Sequence, residues 1–290
     1  MLSLFGAPYS LKNVYLLASK YVANQRLTDT RDLRRYYLEF LARHQPHQPI
    51  PHAQTLLVCD PDIEVKLKDA YGTSQLNDLN QQAMIGEAMT PEEKAPLASL
   101  IEDGLGYMSQ ASPELKSVFD LVIHSILLRR SSKTSAGGLS FGGSSSTAMG
   151  TIWISGHGKL TKFDIAELMV HELTHHLLFI AERCKAQFFY SEMILPENYA
   201  RSAILNKQRP LDKVVHSIVV STEVLLARAH FLGEHDVIIH PDSATMRQNS
   251  LHSIDEVLAL PRLNKVVTPW TIALLERCRA ALIIREAKAC

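Results

Sequence analysis

Two stretches of the chain carry apolar residues around most of a helical circumference, and both are interrupted at helical spacing by ionisable side chains. The first runs from Phe163 to Ala181, the second from Val214 to Leu232 after Pro210-Leu-Asp-Lys, with Gly233 as its stop. A helix that is apolar on most sides belongs in a core. In the first, Asp164, Glu167, His171, Thr174 and His175 form one polar stripe at i, i+3, i+4 spacing. In the second, Lys213, His216, Glu223 and His230 fall within one arc. Buried polar groups cost kilocalories unless paired, so each stripe calls for partners. Thr161 is the expected N-cap of the first helix, with Asp164 three residues on as the capping acid.

Elsewhere the pattern is coarser. Helical spacing covers Tyr15–Val22 and Leu33–Arg43, and three prolines between His44 and His52 make a loop. Histidines exposed in such a loop ordinarily bind nothing. Thr55–Cys59 reads as a short buried strand, and the signal from Asp60 to Met89 is weak. Pro91-Glu-Glu and Ser112-Pro-Glu open two further helices, with proline in the first turn and acids near the positive end. The run Leu121–Leu128 turns towards strand at an unsettled boundary, and Thr151–Ser155 alternates like a strand before the Gly156-His157-Gly158 turn. His157 is expected to face solvent. Between the two strands, Ser131–Gly150 is rich in serine and glycine. It reads equally as a linker or as a loop whose backbone approaches a ligand. From Glu234 to Cys290 the expectation is a loop, a helix around Ser253–Leu260, and a last helix opening at Thr268-Pro-Trp, all packing.

Composition narrows the classes. At 290 residues there is ample apolar content for a core, and lysine plus arginine equals aspartate plus glutamate at 30 each. No global basic field exists to hold nucleic acid. Neither a secretory signal pattern nor an uninterrupted apolar run of membrane-spanning length stands out, so no membrane partner is expected. Cys59, Cys184, Cys278 and Cys290 share no metal or disulfide spacing, which fits reduced thiols and a cytoplasmic location.

The chemistry concentrates at His171-Glu172-Leu173-Thr174-His175, a His-Glu-x-x-His motif. A spacing of four places both imidazoles one turn apart on one helix face, where they can share a metal ion. Glu172 lies about 100° around the helix and can serve as a base without being a ligand. The bland alternative is two hydrogen-bonded core histidines beside a surface glutamate. Glu172 and His176 are also four apart, so the face itself is open. A third protein ligand comes from the second helix, where His216 and Glu223 are the candidates.

Two chemistries can follow, hydrolysis at zinc or oxidation at iron. The peptidase pattern with a glycine and a third histidine on the same strip would need glycine at 178 and histidine at 181. Those positions hold Leu178 and Ala181. A glutamate-ligand peptidase would use Glu223, but its usual acid four residues later is replaced by Ala227. A zinc-dependent metallopeptidase therefore stands as the alternative. The run Met149–Ile154, the helix Ala166–Phe179, and Arg209-Pro-Leu-Asp-Lys-Val-Val-His-Ser-Ile-Val-Val together resemble the His-Glu-x-x-His family of α-ketoglutarate-dependent peptide β-hydroxylases, which act in ribosomal-peptide (RiPP) biosynthesis. The resemblance spans roughly residues 115 to 232. It implies His171, His175 and His216 as Fe(II) ligands with Glu172 in support, α-ketoglutarate and O2 as cosubstrates, and a precursor peptide as substrate. It does not identify the group holding the distal carboxylate of α-ketoglutarate. A cation suits that role, and Arg209, Lys213 and Arg228 are near the right helix.

The expected architecture is α+β and mainly helical, with a small antiparallel sheet packed against a zincin-like metal helix. Residues 1–110 form a helical N-terminal region open to a substrate-binding role, and 111–290 the catalytic region.

Overall fold

Capping chemistry sets most of the helix starts in a computed structural model of the chain, which describes residues 2–22, 27–50, 56–72, 81–132 and 139–289. Helix α1 spans Ala7–Ala18 and α2 Thr30–His44, where the Asp29 carboxylate accepts from the amides of Arg31 and Asp32. Asp60 does the same for α3 (Pro61–Ala70), a helix that the weak signal after Asp60 concealed. Thr90 and Glu93 form a reciprocal capping box at α4 (Pro91–Ala111), and Ser112 caps α5 (Pro113–Val122). The expected box of Thr161 and Asp164 opens α6 (Lys162–Cys184), the helix that carries His171 and His175. Helix α7 covers Leu211–Ala227 and widens at Arg228 into a π-turn, closed by Gly233 at φ 76°. Helices α8 (Ser243–Leu258) and α9 (Pro269–Ala289) complete the packing.

The sheet is small and mixed, which corrects the expectation of an antiparallel one. Strands β1 (Ile85–Ala88), β2 (Ser125–Ser131), β3 (Gly142–Ser144) and β4 (Thr151–Ile154) lie in the order β1-β2-β4-β3. The central pair is parallel, with Ser125 opposite Thr151 and Leu128 opposite Ile154, while both edges run antiparallel to their neighbours. A parallel pair needs a crossover in place of a hairpin, and the serine–glycine stretch supplies it. That stretch also forms β3, so the portion from Leu139 onward is no free linker. Residues 133–138, including Gly137 and Gly138, lie outside the described residues, as do His52, Thr55 and Cys290. Leu57, from the expected first strand, bridges Ile126 of β2 in parallel.

Alternation along the strands decides what covers each face. Ile126, Leu128, Ile152 and Ile154 join the main core with α6, while Leu127 and Trp153 point the other way onto Leu67 and Tyr71 of the α3 region. Both central strands are thereby buried on both faces, as parallel strands usually are. The main core runs from Leu2 to Leu282 and wraps α6 and α7. Helix α7 with its π-turn, Leu211–Leu232, is the one helix among the described residues with the length and composition of a membrane span. Its window is 83% buried, and it packs between α6 and α8.

Candidate functional site

The two faces of α6 have opposite roles. His176 is fully buried and looks at the sheet: its Nδ1 accepts from the Gly150 amide at 3.1 Å and its Nε2 donates to the Thr151 carbonyl at 3.2 Å. Both nitrogens are committed to backbone, which removes the Glu172/His176 face as a metal site. His171 and His175 look into a cavity of about 260 Å³ between α6, α7 and the edge strand β3. Their Nε2 atoms are 3.2 Å apart. Two nitrogens bound to one ion at about 2.1 Å, with angles between octahedral and tetrahedral, stand about 3.0–3.4 Å apart. The spacing suits one shared metal ion, and it is also that of an N–H···N hydrogen bond between the two rings.

His216 reaches the same cavity from α7, with its Nδ1 3.1 Å from Nδ1 of His175. It therefore meets His175 at the ring nitrogen that does not face His171. Among the described residues, no three His, Cys, Asp or Glu side chains already converge on one point as a metal group. Two donors are in place, and the third ring is an immediate neighbour of the pair. All three imidazoles are held neutral, the form that binds metal. Burial pushes His171 and His175 well below the ordinary histidine range, aided by His240 for the first and by the surrounding rings for the second. His216 is pushed down to about 3 by burial, then by the charges of Lys213 and Arg209.

Glu172 lines the same cavity and is 2% exposed. Its Oε2 accepts a 2.6 Å hydrogen bond from the Ser144 hydroxyl on β3, and its Oε1 lies 3.9 Å from Nε2 of His171. Burial raises its carboxyl to about 7, against the opposing pull of the Ser144 hydrogen bond. A carboxyl so placed can take or give a proton near neutral pH. The strand that carries Ser144 is itself braced, because the Tyr71 hydroxyl sits 3.0 Å from the Gly143 carbonyl and 2.8 Å from that of Thr151.

Of the three candidate cations, Arg209 and Lys213 line the cavity. Lys213 also pairs with Asp212 at 2.9 Å. Arg228 is committed elsewhere. It makes a two-pronged ion pair with buried Glu167, both contacts 2.7 Å, and donates to the Pro241 carbonyl and Ser243 hydroxyl. Glu223 sits away from the cavity, accepting from the backbone amides of Ser3 and Leu4 at 2.9 and 3.1 Å. It anchors the N-terminal turn, and the glutamate-ligand arrangement loses its candidate.

The polar stripe of α6 finds its partners. Asp164 caps its own helix and accepts from the Ile238 amide, while Glu167 takes Arg228 and, at 2.7 Å, Nδ1 of His240. His240 then meets Nδ1 of His171 at 2.7 Å. Sequence reasoning missed His240, Ser144 and Tyr71. The stripe signalled that partners exist, but nothing in the loop before α8 or in a run of serines singled them out. His157, expected in solvent, is half-buried and stacks on Phe141 at 4.3 Å. No protein-family model matches the chain and no curated protein matches it, so what this site does rests on its own residues.

Proposed function

We propose that this chain is an Fe(II)- and α-ketoglutarate-dependent oxygenase that hydroxylates a side-chain β-carbon in a ribosomally made precursor peptide, in the cytoplasm. The observation that carries the reading is the clustering of three neutral imidazoles in one cavity with Arg209 and Lys213, while the Glu172 carboxylate is held by Ser144 at 3.9 Å from His171. His171 and His175 would hold the metal through Nε2, and His216 would join as third ligand by turning its ring away from Nδ1 of His175 towards that point. A ligand set of three neutral rings leaves the metal's charge uncompensated, which favours an anionic cosubstrate. Arg209 and Lys213 add to that bias at the cavity wall, and an arginine fork suits a carboxylate. When bound, iron supplies the oxidising chemistry with α-ketoglutarate and O2. The chain's own contribution is positional: Ser144 fixes the Glu172 carboxylate, α6 and α7 fix the rings, and the edge strand β3 closes the cavity on the side where an extended peptide could pair with it.

The alternative, a zinc-dependent peptidase, is favoured by one observation, the buried Glu172 carboxyl raised to about 7 beside the histidine pair. One experiment separates the two. Protein loaded anaerobically with Fe(II) should gain a visible charge-transfer band on adding α-ketoglutarate. Admitting O2 with the peptide should then add one oxygen atom's mass and yield succinate. Cleavage of peptide by the zinc form, with no band and no succinate from the iron form, would overturn the oxygenase.

A further inference from the structure

We infer that His240 is a positioning residue that fixes the tautomer of His171, acting through a buried chain of four side chains: Arg228, Glu167, His240 and His171. The inference rests on the metal-binding reading of His171 and goes beyond it, since His240 lies on the segment between α7 and α8, far in sequence from the motif.

The proton inventory follows from the contacts. Arg228 can only donate, and its two 2.7 Å contacts with Glu167 keep that carboxylate ionised and accepting. Burial alone would raise the Glu167 carboxyl, but hydrogen bonds from His240 and Arg228 outweigh it and hold the group below its usual range. An ionised carboxylate 2.7 Å from Nδ1 of His240 requires the proton on that nitrogen. With that proton in place, Nε2 of His240 is the nitrogen left to accept, which is what metal binding at Nε2 of His171 asks of the partner of its Nδ1. The neighbour of Nε2 of His240 at 2.7 Å is Nδ1 of His171, which then carries the proton. That leaves Nε2 of His171 with its lone pair, and this is the nitrogen that faces Nε2 of His175 across 3.2 Å. The contacts run unbroken from the ion pair to the donor atom at the metal position.

The same contacts lock orientation. His240 is 8% exposed and stacks on His171 with ring centroids 4.9 Å apart, so both ring planes are set by packing as well as by hydrogen bonds. The base of the chain is rigid too, because Arg228 also ties down the Pro241 carbonyl next to His240. A ligand histidine normally donates its second nitrogen to a carboxylate or carbonyl. Here a second imidazole stands between the ligand and the carboxylate, which carries the Glu167 and Arg228 ion pair to the site without placing another negative charge against the metal.

The test uses two substitutions that differ in hydrogen bonding. In His240→Gln, the amide oxygen can accept from His171 and the amide N–H can donate to Glu167, so the relay survives. In His240→Leu it is cut. With histidine labelled with nitrogen-15, long-range proton–nitrogen correlation of the metal-free protein should show His171 protonated at Nδ1 in the wild type and in His240→Gln. The His171 signals, assigned through His171→Gln, should move away from that tautomer in His240→Leu. Affinity for Co(II), read from its visible absorption, should fall by about 10- to 100-fold in His240→Leu and return to within a few-fold of wild type in His240→Gln. An unchanged His171 tautomer and Co(II) affinity in His240→Leu would overturn the inference. So would a failure of His240→Gln to recover either property, which would mark His240 as a ligand in its own right. If His240→Leu does not fold, His240→Asn takes its place, since its shorter amide cannot span from Glu167 to His171, and the same loss is expected. Wild-type protein that shows the expected tautomer but binds no metal would sink the oxygenase reading and leave the relay standing. Metal binding indifferent to both substitutions would do the reverse.

Discussion

His175 and His176 are adjacent on one helix, and the structure treats them as different kinds of residue. His176 is buried against the sheet with each nitrogen matched to one backbone group of the Gly150–Thr151 corner. His175 has only other imidazoles beside its nitrogens, His171 on one side and His216 on the other. Burial holds both rings neutral, so burial does not separate them. What separates them is whether the backbone has already taken up the lone pair. A histidine whose acceptor nitrogen is satisfied by an amide is part of the scaffold, and one whose acceptor nitrogen faces another ring nitrogen is available to a cation.

The sharpest break of that comparison is by alanine. His171→Ala, His175→Ala or His216→Ala should each abolish stoichiometric metal binding with the fold retained, as read by metal analysis and circular dichroism. His176→Ala should do the opposite. It strands the buried Gly150 amide, at about 1–3 kcal/mol, and leaves the Thr151 carbonyl with the Tyr71 hydroxyl alone, so melting should drop while the folded protein still binds metal. Glu223→Ala should also keep its metal, because that carboxylate serves the Ser3 and Leu4 amides. Metal lost in Glu223→Ala and kept in His216→Ala would invert the assignment.

The scaffold side has a backbone requirement of its own. Gly150 adopts φ +86°, and a Cβ there would sit 2.4 Å from Cδ2 of His124. Gly150→Ala therefore combines left-handed strain of about 1–3 kcal/mol with a clash against a buried ring. The expected result is a loss of several °C or more in Tm, and a melt within 1 °C of wild type would mean the corner can relax.

His124, the ring that meets that corner, should give the scaffold a pH dependence. It is 2% exposed, with Nε2 at 3.2 Å from the Met149 carbonyl and Nδ1 at 2.8 Å from the Ser125 hydroxyl. Burial, with a contribution from the Arg34 charge, pushes it down from 6.5 to about 4, against the pull of the Met149 carbonyl. Between those values the unfolded chain takes up a proton that the folded one refuses. Stability is thus fully present above pH 6.5 and falls as pH drops towards 4, by about 3 kcal/mol from this group. Denaturant unfolding at a series of pH values should show the slope, and His124→Asn should flatten it.

Legibility in the sequence followed the same divide between local and assembled features. Helices α6 and α7 were readable because a buried helix writes its polar exceptions at a 3.6-residue period. His171, Glu172, His175 and His216 came with them, and all four line the cavity. The pairing of β2 with β4 was not readable, since alternation says which face a residue takes but not which strand lies beside it. Partners that arrive from distant segments were invisible for the same reason. The stripe through Glu167 demanded a counter-charge, yet only the assembled fold shows Arg228 filling that role, which also withdraws Arg228 from the cations that could meet a cosubstrate. His240 and Ser144 lie in segments with no periodic signal at all.

The smallest expected effect tests whether the edge strand is part of the chemistry or only its wall. Ser144 is 5% exposed and its hydroxyl donates to Glu172 at 2.6 Å, a direct side-chain tie between β3 and the motif. Ser144→Ala removes a donor from a buried carboxylate, a loss of about 1.5–3 kcal/mol for a hydrogen bond to a charged group. The metal donors are untouched, so metal stoichiometry should stay at the wild-type level. Product formation should slow, because Glu172 is no longer fixed against the cavity wall, and Ser144→Thr, which keeps the hydroxyl, should recover most of it. If Ser144→Ala instead loses metal, β3 shapes the histidine cluster itself, and the division between ligand helix and supporting strand is wrong. If neither rate nor stability changes, the Glu172 carboxylate is held by the helix alone.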